Sequence, residues 1–382
     1  MSTATLARAE AHVFRTPIKE PVRTSFGTMM ERVAVFVRVE DSDGARGWGE
    51  IWCNFPNAAA EHRALLFADI VAPRALGKSL DDPVALWAEI DRALHVLRVQ
   101  SGDAGALSAA AAGLDLAIHD LRARKRGLPL WRALGGTDDS PLPIYASGLN
   151  PGRSAYDTVG RMRAAGYRAF KIKVGFGTET DLDTLRLVAR ELKPGERLMV
   201  DVNQGWDLRT ACATVPKLAE FGLQWIEEPL MADRPLTEWT QVAAVAPTQL
   251  AGGENLRSAG PFQKMIDSGL FGVIQPDAAK WGGHSGCLPV ARAALAAGRT
   301  YCPHFLGGAI GLMHSLHLLA AVRGPGLLEV DANPNPLRAG LMGDLMAASE
   351  GTVSLPGGQG LGLEPDLKPL INLRSLHIER RA

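Results

Sequence analysis

Only four cysteines occur in 382 residues, and Cys53, Cys212, Cys287 and Cys302 form no CxxC pair and complete no Cys/His ligand set. A disulfide scaffold and a structural zinc site are therefore not expected; reduced, buried thiols of a cytoplasmic protein are. No apolar run approaches the roughly 18 residues of a membrane span. The amino terminus carries Glu10 and Arg15 within a mixed stretch instead of a basic segment followed by an apolar one, so it does not read as a secretion signal. An excess of either charge is missing too. The 41 lysines and arginines balance 41 aspartates and glutamates, which leaves no overall field to attract nucleic acid or an anionic membrane. The expected partner is a small molecule.

What is present is a large apolar fraction, 46%, in a chain longer than the roughly 250 residues of a lone βα barrel. A barrel plus a second domain follows. Residues 33–40 alternate as a strand, Asp41-Ser-Asp-Gly44 turns, and Gly47-Trp-Gly-Glu-Ile51 returns, which predicts a hairpin. Residues 60–99 and 104–126 read as helices. From about residue 142 short apolar runs alternate with amphipathic stretches, with strands expected near 142–147, 168–174, 197–202, 223–227, 249–252, 271–276, 299–303 and 326–330. Asp207 and Ser258 are expected to cap the helices that follow them, the first over 208–220. The predicted fold is α/β, a (β/α)7β-type TIM barrel over 136–350. An α+β capping domain is built from 1–135 together with a C-terminal segment, 351–382, that returns to it.

Titratable residues recur at the ends of these strands. Lys171 and Lys173, Asp201, Glu227, Glu254, Asp277, His304 and Glu329 follow one another at steps of 23 to 28 residues from Lys173 onward, the scale of one strand plus one helix. Barrel enzymes gather their catalytic groups at the carboxyl ends of strands, so these residues share one site. Asp201, Glu227 and Glu254 offer oxygen only, which suits a hard divalent ion such as Mg²⁺ with positions left for a substrate carboxylate. Lys171 and Lys173 point to the same face, and two adjacent cations plus a metal are expected to depress a lysine pKa toward neutrality, as a base requires. Asp277 and His304 end neighbouring strands, so the carboxylate is expected to fix the imidazole tautomer. His314 and His317, without acidic partners, read as packed core residues.

Lys171-x-Lys173, Asp201-x-Asn203, Trp225-Ile-Glu227-Glu-Pro229, Gly253-Glu254-Asn255, Pro276-Asp277-x-x-Lys280-x-Gly-Gly283, His304 and Leu328-Glu329 together resemble the enolase superfamily in its mandelate racemase subgroup. Pro21-Val-Arg-Thr-Ser-Phe-Gly27 resembles the family's mobile loop, and 109–136 its long helix and crossover, so the likeness covers almost the whole chain. It implies Mg²⁺ on Asp201, Glu227 and Glu254, Lys173 as base on one face of the substrate with Lys171 on the carboxylate, and His304 with Asp277 on the other face. Glu329 would bond the substrate carboxylate, Asn203 and Ser147 would touch substrate, and the assembly would be a homo-oligomer. An acid at 277 in place of lysine favours the mandelate racemase arrangement over muconate lactonizing relatives.

The first step that the resemblance implies is abstraction of the proton α to a carboxylate, giving an enediolate; a lysine or histidine base acting with Mg²⁺ is the established pattern of that superfamily. Loss of a β-hydroxyl from an aldonate or aldarate would then give a 2-keto-3-deoxy acid, the first reading. Return of the proton from the other side would make a racemase or epimerase, the alternative. Val22, Phe26, Met29 and Met30 would suit an apolar substrate group or simply pack the loop. Trp52, Asn54 and Phe55 are expected to line the distal end of the substrate, and Arg23 to meet a second carboxylate. A competing reading makes Gly307, Gly308 and Gly311 a phosphate-binding loop.

Overall fold

The computed structural model describes residues 4–382. Its first part is a four-stranded antiparallel sheet in the order β14 (Arg374–Arg381), β1 (Leu6–Thr24), β2 (Gly27–Asp41) and β3 (Arg46–Ile51). Alternation along these strands divides the sheet into two apolar faces. Val13, Val35, Val37 and Ile51 pack with Leu107, Leu114 and Ile118 of the 22-residue helix α3 (Ala104–Lys125), while Phe14, Phe36 and Trp48 join the core of the rest of the molecule. Helix α3 lies directly on β3, and glycine makes that approach possible: a Cβ on Gly47 would sit 2.2 Å from the Ala117 carbonyl, and one on Gly49 2.2 Å from that of Gly113.

Residues 60–99 are not one helix. Helix α1 (Ala60–Leu66) widens into a π turn over Phe67–Val71, tightens at Pro73 and stops. After a turn at Gly77, α2 (Pro83–Ser101) restarts with Asp82 accepting from the Ala85 N–H and proline in its first turn. Strand β1 runs nineteen residues and pairs with β2 out to Thr24 opposite Gly27, so the loop expected to be mobile is the tip of a long hairpin.

The second part carries eight parallel strands, β4 (Leu142–Leu149), β5 (Ala169–Lys173), β6 (Arg197–Asp201), β7 (Ile226–Glu227), β8 (Leu250–Gly252), β9 (Phe271–Ile274), β10 (Thr300–Tyr301) and β11 (Leu328–Asp331). Each pairs with the next as far as β10, and β11 pairs with β4. At the last seam β10 and β11 come so close that a Cβ on Gly326 would lie 1.8 Å from the Tyr301 carbonyl. Tyr145, Ala169, Met199, Trp225, Ala251, Val273, Cys302 and Leu327, one from each strand or its edge, form a single buried cluster. That is the filled interior of a barrel. Asp207 caps its helix through the Thr210 N–H at 2.7 Å, whereas Ser258 makes no capping bond with its side chain, and the helix begun at Leu208 narrows to a 3₁₀ turn at Val215 next to Pro216. After the barrel, β12 (Ala348–Ser349) and β13 (Thr352–Val353) fold against the start of β4 before β14 joins the first sheet. No helix among the described residues is long and apolar enough to cross a membrane.

Candidate active site

Two residues beyond the apolar layer, on the same inward face, stand Ser147, Lys171, Asp201, Glu227, Gly253, Gln275, His304 and Glu329. Period-two alternation places them, so one step along each strand changes a hydrophobic floor into a charged one. Gly253, at φ +126°, breaks the phase on β8 and lets Glu254 enter where alternation alone would turn it outward.

The charged layer is buried and internally paired. Lys171 Nζ lies 2.7 Å from both Glu227 oxygens and 2.8 Å from Glu329 Oε1. Lys173 Nζ donates to Asp201 Oδ2 at 2.6 Å. Glu254 takes Lys280 Nζ at 3.1 Å and also His304 Nε2, while His304 Nδ1 sits 2.7 Å from Asp277 Oδ2. The expected Asp277–His304 pair is thus formed, with Nε2 turned toward Glu254 and the cavity. Glu329 accepts the Ser147 hydroxyl and the Phe305 N–H.

Above this layer lies a cavity of about 350 Å³ between barrel and cap, bordered by Lys173, Asn203, Glu254 and His304 below and by Trp52, Phe55 and Arg63 from the cap. Asn203 adopts a left-handed backbone at φ +48°, and its Oδ1 is buried without a partner; the indole N–H of Trp52 is likewise unpartnered. Lys280 Nζ stands 4.4 Å from the centre of the Trp52 ring.

Not every residue expected to touch substrate borders this cavity. Asn54 is turned away from the cavity and donates to the Leu306 carbonyl, tying cap to barrel. Arg23 is exposed on the hairpin, where its backbone N–H bonds Asn150 Oδ1 at 2.9 Å, too far round the tip to border the cavity. Ser147 lies beneath the mouth, its hydroxyl spent on Glu329. Val22 and Met29 pack on Leu306, Met30 is 61% exposed, and Phe26 alone of that group borders the cavity. Arg257 and Arg63, which do border it, carried no signal in the sequence: one lies three residues past a strand-end acid, the other on a cap helix.

The N–H groups of the glycines after β10 are taken up by a carboxyl of the protein itself. Glu50 of β3 accepts the Gly308 N–H at 2.6 Å and the Gly311 N–H at 2.8 Å, at the start of helix α4 (Ala309–Val322). Burial, set against those bonds, pushes its carboxyl up to about 7. His314 and His317 are core residues: His314 bonds His284 and the Trp48 carbonyl, and His317 accepts from the Trp131 N–H and donates to the Leu361 carbonyl.

The depression expected of the lysine base belongs to the site with its cation bound; against the carboxylates alone the balance is different. Burial works to lower Lys173, but Asp201 outweighs it and the group is raised above its ordinary value. Burial likewise opposes His304, which Glu254, Glu329 and the Asp277 bond nevertheless carry up to about 10. Glu227 is driven up to about 7 by burial, with Lys171 opposing and Asp201 and Glu329 adding to it, and Glu228 is raised well above its ordinary value by burial and by Glu254 and Asp201. Burial works to raise Glu254 as well, but His304, Lys280 and Lys173 outweigh it and hold that carboxyl well below its ordinary value, so the deficit of positive charge lies at Glu227 and Glu228. An oxygen-only donor set with that deficit, beside the unpartnered Asn203 Oδ1, fits a hard divalent cation. The three acids are not drawn together around a point: among the described residues the one set of three ligand atoms within 4.8 Å of one another is Glu10, His12 and His377 on the cap sheet, where Glu10 already takes Arg8 and Arg38 at 2.6 Å each.

This architecture and site define an enzyme of the enolase type, a cap over a barrel that removes a proton next to a carboxylate. Residues 155–369 match the enolase C-terminal domain-like family, and 8–135 match the mandelate racemase/muconate lactonizing enzyme N-terminal domain. The chain belongs to the enolase superfamily, in its mandelate racemase subgroup. A solved mandelate racemase/muconate lactonizing enzyme from Bordetella bronchiseptica RB50 is 49% identical and superposes with a TM-score of 0.91 over 97% of this chain and 100% of the other. D-galactarolactone cycloisomerase of Agrobacterium fabrum is 28% identical across 97% of this chain and 98% of that protein. L-talarate/galactarate dehydratase from Salmonella typhimurium LT2, solved with Mg and L-lyxarohydroxamate, has a TM-score of 0.87 at 26% identity, covering 100% of this chain and 95% of the other. Racemases and epimerases also occur among the relatives, at 27–30% identity.

Proposed function

We propose that this enzyme removes the proton α to the carboxylate of an acid sugar and expels the β-oxygen, giving a 2-keto-3-deoxy acid. One observation carries the reading: Lys173 of β5 and His304 after β10 border the same cavity from walls separated by at least two intervening strands. A substrate carbon between them meets a proton-transfer group on each face.

Asp201, Glu227 and Glu254 would hold Mg²⁺, which when bound supplies a counter-charge for Glu227 and for the substrate carboxylate. Lys173 Nζ takes the α-proton, for which it must be neutral; a cation held by Asp201 would remove the anionic partner that otherwise keeps the ammonium charged. Lys171 and Glu329, beneath, set the polarity of the floor on which the carboxylate rests. As the β C–O bond breaks, His304 Nε2, oriented by Asp277 on Nδ1, gives its proton to the departing oxygen, and the enol tautomerises to the keto acid. If that oxygen belongs to a ring, the same elimination opens the ring without loss of water. Asn203 Oδ1 and the Trp52 N–H, an acceptor and a donor without partners, favour a hydroxylated substrate over an apolar one.

The test is incubation of Mg²⁺-loaded enzyme with a library of aldonic and aldaric acids, read with semicarbazide for keto acid and in parallel by polarimetry and deuterium exchange. Keto acid from one or a few members is expected. Exchange or rotation change without keto acid would make the enzyme a racemase or epimerase, in which His304 returns the proton to the opposite face.

A further inference from the structure

The cavity is bordered by two guanidinium groups, one from the cap and one beside Glu254, that the fold leaves without a contacting carboxylate. Arg63, on α1, is 7% exposed; its Nη atoms donate to backbone carbonyls of Phe55, Pro56 and Ala59 at 3.1–3.5 Å, and its Nε is buried without a partner. Arg257, in the loop after β8, donates through Nη1 to the carbonyls of Glu254 and Leu256 at 2.7 and 3.1 Å, while Nη2 and Nε have no partner among the described residues. Neither makes an ion pair within 4.0 Å among the described residues, although arginines elsewhere in the molecule pair with carboxylates even when buried, as Arg32 does with Asp331 at 2.7 Å. Burial lowers the pKa of both, and the charge of Arg63 lowers Arg257 further. Two half-desolvated cations facing one cavity cost free energy unless an anion joins them.

We infer that Arg63 and Arg257 together bind a second carboxylate of the substrate, at the end remote from the reacting carbon, so that the preferred substrates are dicarboxylic acids. Planar forks approaching from cap and barrel suit carboxylate oxygens in a way that lysine would not. Trp52 borders the same cavity with its indole N–H unpartnered, Lys280 standing 4.4 Å and Arg63 5.8 Å from its ring centre. The role expected of Arg23 falls instead to Arg63 and Arg257. The inference rests on the acid-sugar reading for the kind of backbone between the carboxylates, but not for the second carboxylate itself.

Titration calorimetry on the Mg²⁺-loaded protein with matched pairs, galactarate against galactonate and glucarate against gluconate, tests it apart from turnover. At least one diacid is expected to bind tenfold or more tightly than its monoacid. Arg257→Gln should bring that ratio near one, as should Arg63→Gln if it folds, whereas Arg153→Gln, on an exposed helix, should leave it unchanged. Equal affinity within both pairs, or a preference that survives Arg257→Gln, would overturn the inference. Diacid preference without keto acid formation would remove the elimination reading and leave this one standing; keto acid from monoacids bound as well as diacids would do the reverse.

Discussion

At the scale of residues, the catalytic layer divides groups that meet the substrate from groups that aim them. Asp277 is an aiming group: its contact is with His304 Nδ1 at 2.7 Å and with the backbone N–H of Ala279 at 2.8 Å. Asp277→Asn is therefore expected to lower the elimination rate about a hundredfold while leaving Mg²⁺ affinity within a factor of about two or three, as calorimetry and the semicarbazide assay would show together. Glu254→Gln is expected to do the opposite first, weakening Mg²⁺ binding at least tenfold with the fold retained; unchanged metal affinity would remove Glu254 from the ligand set. Every strand-end acid and base of this layer was legible in the sequence, because each follows an apolar run and the spacing repeats. The two arginines bordering the cavity were not. Arg63 and Arg257 are 194 positions apart in a chain with many arginines, and only the closing of cap on barrel makes them neighbours.

At the scale of elements, the junction of β3 with α4 is the contact most open to test. Glu50 keeps its proton in the folded protein up to about pH 7, against 4.5 as the ordinary value. Between those values the unfolded chain binds fewer protons than the folded one, so the stability from this group is fully present at low pH and falls as pH rises through the window, by roughly 3 kcal/mol at most. Thermal unfolding of the natural protein and Glu50→Gln from pH 4.5 to 7.5 should show their difference moving against the natural protein as pH rises; a constant difference would contradict the assignment. Gly308→Ala should cost about 1–3 kcal/mol, since its Cβ would lie 2.7 Å from Phe36 and 2.8 Å from Glu50. The barrel strands were readable even where β7 and β10 have only two residues each, because their apolar runs and terminal charges persist. The break after α1 was masked by continuous apolar periodicity, and β1 was hidden by the mixed composition of its outer half.

At the scale of the whole molecule, stability and catalysis draw on different layers. The apolar clusters contain none of the acids or bases of the mouth. Stripping Mg²⁺ with EDTA should thus abolish deuterium exchange while far-ultraviolet circular dichroism and the cooperative melt persist; loss of the fold on chelation would mean that the ion is structural. The cap sheet has a further consequence, for the order of assembly. Strand β1 precedes the barrel in the chain, yet one of its two neighbours, β14, follows the entire barrel. Throughout synthesis of the barrel β1 presents an unpaired edge, open to strands of other chains. Pairing of residues 374–381 is what covers that edge, so a variant in which β14 cannot pair is expected to aggregate more readily than the natural protein.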